Sequence, residues 1–140
     1  MQKSPIIPVI RYDNAKEAIS WLKEAFGFQK HVSFEDEAGK IIHAELTFGN
    51  SMIMLGSADS SSEFSTHMRQ PREIGGFQTQ CCYVYVEDPD AHYAHAVAAG
   101  ARIVIDIKGE DYGGRSYTCL DPEGFLWNFG SYDPWAEPTV

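Results

Sequence analysis

Hydrophobic and polar positions run along this chain in an order that occurs twice. The segment "PIIPVIRY" has the short apolar run of a buried strand, and Asp13 or Asn14 then offers a side-chain oxygen to cap a helix over "AKEAISWLKEAFG". Ala15, Ile19, Leu22 and Phe26 recur at helical spacing on one face, and Gly27 supplies the stop. Further on, "CCYVYV" predicts a strand, Asp88 a cap with Pro89 at the first helical position, and Ala91, Ala94, Val97 and Ala98 an apolar stripe that ends at Gly100. Three strand-like runs follow each helix: "FQKHVSFEDE", "KIIHAELTFG" and "SMIMLGS" after the first, "ARIVIDIKGE", "RSYTCLD" and "GFLWNFG" after the second. The turns "DEAGK", "FGNS" and "DPEGF" hold the Gly, Asn and Pro that reverse a chain, so these strands are expected to run antiparallel.

Each half therefore reads as strand, helix, three strands. The expected organisation is a single domain over 1–140, with one module at about 5–56, a linker loop at 57–78, a second module at about 79–131 and a tail at 132–140. A chain of 140 residues that is 44% hydrophobic is long enough to bury a core. Its formal charge of -9 repels phosphate backbones and anionic lipid heads, which argues against nucleic acid and membrane surfaces as partners. The start "MQKSPIIPVI" lacks the long apolar stretch of a signal peptide, so a cytoplasmic location is expected. Cys81, Cys82 and Cys119 form no disulfide framework: the count is odd, and adjacent strand residues point to opposite faces. Buried, inert thiols are the expectation.

The duplicated βαβββ pattern, with "YDNAKEAISWLKEAFGF" after the first strand and "DPEGFLWNFG" at the last, resembles the vicinal oxygen chelate superfamily. This is the glyoxalase, bleomycin-resistance and extradiol-dioxygenase group. The resemblance implies an α+β fold: two tandem βαβββ modules forming cupped mixed sheets around a cleft, helices on the outside, often as a homodimer. It also implies four metal-ligand slots, on the first and last strand of each half, which fall on Ile6, Met54, Cys81 and Asn128. Isoleucine cannot ligate, a thioether is a weak ligand for divalent ions, and an amide carries no charge, so no metal and no other cofactor are expected.

Strand alternation sorts the faces, since the side beneath the helices should be the more apolar. Ile42, Ala44, Leu46 and Phe48 then go under the first helix, and His43, Glu45 and Thr47 turn to the cleft. Cys82, Val84 and Val86 go under the second helix with Phe125, Trp127 and Phe129, while Cys81, Tyr83 and Tyr85 face inward. The expected ligand-binding set is His43, Glu45, Met52, Met54, Cys81, Tyr83, Tyr85, Leu126 and Asn128, with Arg115 as a nearby cation whose face the alternation leaves open. An apolar wall with sparse orienting groups suits a small-molecule ligand.

Sharper readings compete. His43 and Glu45, two apart on one strand, are candidates for a general base and its orienter, against a structural hydrogen-bonded pair. His31, His43, Glu45 and Cys81 form an alternative, less favoured zinc set. His92 and His95, three apart on a helix, fit a solvated face better than a metal site. The expectation is a metal-free protein binding a hydrophobic or aromatic molecule, with a lyase or isomerase as the alternative.

Overall fold

The computed structural model describes residues 3–59 and 61–137, and the chain separates into two compact units, one reaching Phe77 and the other starting at Gln78. In unit 1, strand β1 (Val9–Tyr12) leads into helix α1 (Ala15–Phe26), followed by β2 (Gln29–Glu35), β3 (Ile41–Phe48) and β4 (Ser51–Ser57). They form a mixed sheet of order β1-β4-β3-β2, in which β1 runs parallel to β4 and the other pairs are antiparallel. In unit 2, β5 (Cys82–Tyr85), helix α2 (Pro89–Ala98), β6 (Arg102–Gly109), β7 (Arg115–Leu120) and β8 (Leu126–Gly130) repeat the plan in the order β5-β8-β7-β6. The fold is thus α+β, two βαβββ modules each with one helix on one sheet face. Among the described residues no helix is long and apolar enough to cross a membrane.

The local chemistry explains both helices. Asn14, rather than Asp13, caps α1 by accepting from Glu17 N, and Asp88 caps α2 by accepting from Ala91 N. Ala15, Ala18, Ile19, Leu22, Ala25 and Phe26 bury the inner face of α1 against Ile10, Tyr12, Ala44, Leu46, Ile53 and Leu55 of its sheet.

Three expectations about faces need correction. The first strand is shorter than "PIIPVIRY", and Ile6 stands outside it at 82% exposure. On β3 it is Ile41, not Ile42, that joins the buried set, because a bulge pairs Phe34 with His43 and Glu35 with Ile41 and leaves Ile42 as the extra residue. The stripe Ala91, Ala94, Val97, Ala98 faces outward. Pro89 and Ala96 are buried and His92 and Tyr93 half-buried, a face at the same helical spacing but offset from the alanines. The two rings pack against Tyr117 of β7, and His92 also against Phe129 of β8, so aromatic area outweighs alanine methyls. His92 Nδ1 lies 2.6 Å from the Tyr117 hydroxyl, so this histidine belongs to the helix-sheet contact and not to a solvated face.

The "DPEGF" turn has an equally specific cause. Asp121, 4% exposed, accepts from the backbone N–H groups of Glu123 and Phe125 through Oδ1 and from the Trp127 indole through Oδ2. One carboxylate closes the turn and orients the largest core side chain of unit 2. Its charge, together with burial, pushes the Cys119 thiol up to about 12, with burial the larger cause. The stretch expected as a linker folds onto unit 1 as two 3-10 turns, Phe64–His67 and Pro71–Ile74. Gln70 caps the second, and its buried side chain donates to the Arg11 carbonyl (2.7 Å).

Candidate functional site

In unit 1 the helix-free sheet face is fixed by register. Met54 pairs with Glu45 on one side and Val9 on the other, Met52 pairs with Thr47, and Val32 and Phe34 pair with Glu45 and His43. Register partners share a face, so Val9, Val32, Phe34, His43, Glu45, Thr47, Met52 and Met54 lie together. His43 Nε2 sits 2.8 Å from Glu45 Oε2, close enough for the imidazole to donate to the carboxylate. Phe34 stacks on the His43 ring with centroids 6.3 Å apart. The expected His43 and Glu45 pair is therefore brought into contact, half-buried, among thioether and apolar side chains.

In unit 2 the equivalent face carries Tyr83, Tyr85, Leu126, Asn128, Ser116 and Thr118, again by register. Asn128 is held at both ends: its Oδ1 accepts from Thr118 Oγ1 (2.6 Å), and its Nδ2 donates to Cys81 Sγ (3.2 Å) and the Cys82 carbonyl (3.3 Å). The Tyr83 hydroxyl donates to the Tyr132 carbonyl (2.6 Å), and burial raises the pKa of that phenol. Cys81 is exposed, contrary to the expectation of a buried thiol, while Cys82 is half-buried and its thiol is raised, chiefly by desolvation. Arg115 does not join this face. Its strand neighbour Ser116 pairs with Gly130, so Arg115 points the other way and forms a two-pronged ion pair with Asp90 of α2 (2.8 and 2.9 Å).

The metal slots implied by resemblance do not fit an ion. Met54 lines up with Val9, not with Ile6, and the Asn128 oxygen is already engaged by Thr118. Among the described residues no three His, Cys, Asp or Glu side chains gather where they could hold a metal. His31, part of the alternative zinc set, is the exposed extra residue of a bulge between Lys30 and Val32.

Arg11 was absent from the sequence-based set. It follows Val9 by two on β1 and pairs with Gly56, so it lies on the same face as Val9 and Met54. The signal that points to it is the glycine: Gly56 stands inside a strand, two residues past Met54, as Gly130 stands two residues past Asn128. A β-carbon built on Gly56 would overlap Arg11 Nη1, and one on Gly130 would come within 2.9 Å of the Tyr83 hydroxyl. Each glycine lets a long neighbouring side chain lie down on the sheet.

The duplicated sheets place the chain in a class, and comparison with known proteins names it. A family model described as the Glyoxalase/Bleomycin resistance protein/Dioxygenase superfamily matches residues 7–129, and the chain belongs to that superfamily. It is 28% identical over 123 residues to an uncharacterized protein of Mycobacterium bovis, covering 88% of this chain and 80% of the relative. Among solved structures it is similar to TioX from Micromonospora sp. ML1, with 29% identity, a TM-score of 0.72 and coverage of 91% of this chain and 97% of that one. It shares the fold, at 13% identity and a TM-score of 0.67, with the fosfomycin resistance protein FosX from Listeria monocytogenes, covering 96% of this chain and 94% of that one.

Proposed function

We propose that this protein binds a small hydrophobic or aromatic molecule on its helix-free sheet faces, without a metal, in a sequestration or resistance role. It acts as a cytoplasmic homodimer. The observation that carries the reading is the character of those faces. In unit 1 Phe34 (58% exposed) lies open with Val32, Met52 and Met54 half-buried on the same sheet face, and in unit 2 Tyr83 (39%) and Tyr85 (43%) lie open. Rigid aromatic rings and adaptable thioethers offer large contact area at low ordering cost, while His43, Glu45 and Asn128 are sparse orienting groups. The donor chemistry at Met54 and Asn128 supports the metal-free part, and the superfamily's bleomycin resistance members supply the precedent for the role.

Titration with a panel of neutral and charged aromatic compounds, followed by tryptophan fluorescence, is expected to give saturable responses; none across a broad panel would refute the reading. Addition of Zn, Ni, Mn or Fe(II) one at a time is expected to leave the melting temperature unchanged. A real site at a hundredfold excess over its Kd would stabilise by about 2.7 kcal/mol.

The His43 and Glu45 contact supports a second reading, a lyase or isomerase in which the imidazole accepts a substrate proton while the carboxylate holds its orientation. Turnover of an oxygenated substrate that survives unaltered in His43→Ala and Glu45→Ala would remove it.

A further inference from the structure

We infer that Arg11 is a binding site for the anionic group of the ligand, a carboxylate or comparable oxyanion attached to an apolar body. The inference rests on the binding reading above. It begins with burial: among the described residues Lys23, Lys30, Arg102 and Lys108 also lack a carboxylate at ion-pair distance but are exposed to water, whereas Arg11 is half-buried. Arg72 grips Asp13 with two hydrogen bonds (2.8 and 3.0 Å), Arg115 grips Asp90, and Lys40 holds Asp59 at 2.7 Å. Glu73 lies between Arg69 (3.8 Å) and Arg72 (3.9 Å). Arg11, in a chain with a net charge of -9, has no carboxylate partner among the described residues. What it has is a fixed position. Gly56 leaves room beneath the guanidinium, and the Phe64 ring covers it with Cζ 5.0 Å from the ring centroid.

The guanidinium is half-sequestered from water, and its Nε is buried with no hydrogen-bond partner. An unmet donor on a charged group is costly, and a surface cation would rotate to solvent if nothing held it. Here the floor and roof hold it flat, which leaves the planar fork preorganised for two parallel oxygens. A cavity of about 80 Å³ adjoins it, lined by Arg11, Ser65, Met68, Gln70 and the already paired Asp13, Asp59, Arg72 and Glu73. That volume holds several waters or a small oxyanion, but not a whole drug-sized ligand, so it is a subsite. Because the acids in the lining are matched by Arg72, Lys40 and Arg69, Arg11 is the excess charge. It also stands on the sheet face that carries Met54 and Glu45, so a ligand on that face can extend its anionic end to it.

The test uses two isosteric probes, 2-naphthoate and neutral 2-naphthamide, titrated by ligand-observed NMR against the full chain. Naphthoate is expected to bind about tenfold tighter or more, the increment of a charge-assisted hydrogen-bonded pair, despite the protein's net negative charge. In Arg11→Gln the affinity ratio is expected to fall to within about twofold of one. Arg11→Lys, which keeps the charge but loses the fork and the ring stacking, serves if the first variant does not fold, and is expected to lose most of the advantage. A wild-type ratio near or below one, or an advantage that survives both substitutions, overturns the Arg11 inference. If naphthamide nevertheless saturates, the binding reading stands without it. If neither probe saturates, both fall.

Discussion

The two units use one backbone device for opposite chemistry. On β4, Gly56 lets the Arg11 guanidinium lie against the sheet; on β8, Gly130 admits the Tyr83 phenol. Around Gly56 the polar groups are ionisable, with Arg11, His43 and Glu45 on one face. Around Gly130 the residues on the face are themselves uncharged: Thr118 donates to Asn128, Asn128 donates to Cys81 Sγ and the Cys82 carbonyl, Tyr83 donates to the Tyr132 carbonyl, and Ser116 donates to the Glu110 carboxylate. Where Met54 opposes Glu45 in unit 1, Asn128 opposes Thr118 in unit 2. Duplication therefore preserved geometry and let charge diverge. Unit 2's face has Thr118, Asn128 and Tyr83 hydrogen-bonded, and unit 1's face holds Arg11, a half-buried guanidinium with no carboxylate partner among the described residues.

The sharpest contrast to break concerns the helices. Leu22 on α1 is fully buried, whereas Val97 on α2 is 44% exposed. Leu22→Ala is expected to cost about 2–5 kcal/mol in urea denaturation and Val97→Ala about 0.5 kcal/mol or less. Comparable losses would mean that the outer stripe of α2 is buried in solution. The turns give the next largest difference. Asp121 and Asp36 each accept two backbone N–H groups, but only Asp121 is buried and also holds an indole. Asp121→Ala should cost about 2–3 kcal/mol by orphaning buried donors, and Asp36→Ala about 0.5–1 kcal/mol because water replaces its carboxylate. Chemical unfolding followed by tryptophan fluorescence would separate the two.

The glycines test the opening comparison directly. Gly130→Ala sets a methyl against Ser116 Cβ at 2.9 Å and the Arg115 carbonyl at 3.1 Å; Gly56→Ala meets the Ile42 carbonyl at 2.8 Å and the flexible end of Arg11. Each is expected to cost about 1–3 kcal/mol from overpacking. A melting shift in only one variant would show that its partner unit relaxes at no cost, and the parallel between the glycines would be superficial.

Much of this was legible in the residue pattern. The Asp88 cap, a cap at Asp13 or Asn14, the succession of strand, helix and three strands in each half and the turn at Asp121 follow from local chemistry that a sequence displays. The meeting of His43 with Glu45 follows from period-two alternation. What failed did so for physical reasons. A bulge is invisible to alternation, so Ile41 and Ile42 exchanged roles. Hydropathy ranks alanine above histidine, so the stripe on α2 was assigned to the wrong face although His92 and Tyr93 bury rings. Arg115 was ambiguous until its pairing with Asp90 fixed its side. Arg11 was passed over because a cation on a strand reads as a solvated edge, and only Gly56 beneath and Phe64 above reveal it as held.

The smallest expected effect distinguishes what the two bidentate ion pairs do. Arg72 lowers the pKa of Asp13 and Arg115 lowers that of Asp90, in each case mainly through the hydrogen bond. A carboxyl depressed in the folded state stabilises fully above its unfolded value of about 3.9, and that contribution is lost as pH falls through the folded value. Both pairs are exposed, so screening reduces the Asp13 contribution to about 0.5 kcal/mol or less. Their positions differ more than their strengths. Asp13–Arg72 ties the 3-10 turn Pro71–Ile74 to the residue that follows β1, whereas Asp90–Arg115 joins a helix to a strand already packed against each other. Acidification from pH 5 to 3, or 0.5 M salt, should therefore lower amide protection factors, corrected for the intrinsic pH dependence of exchange, in the 71–76 turn before it changes those of α2. Arg72→Gln should abolish that pH response in unit 1 alone. Loosening of the two elements together would mean that the ion pair does not set the order of opening and that Gln70 with its carbonyl partner holds the turn.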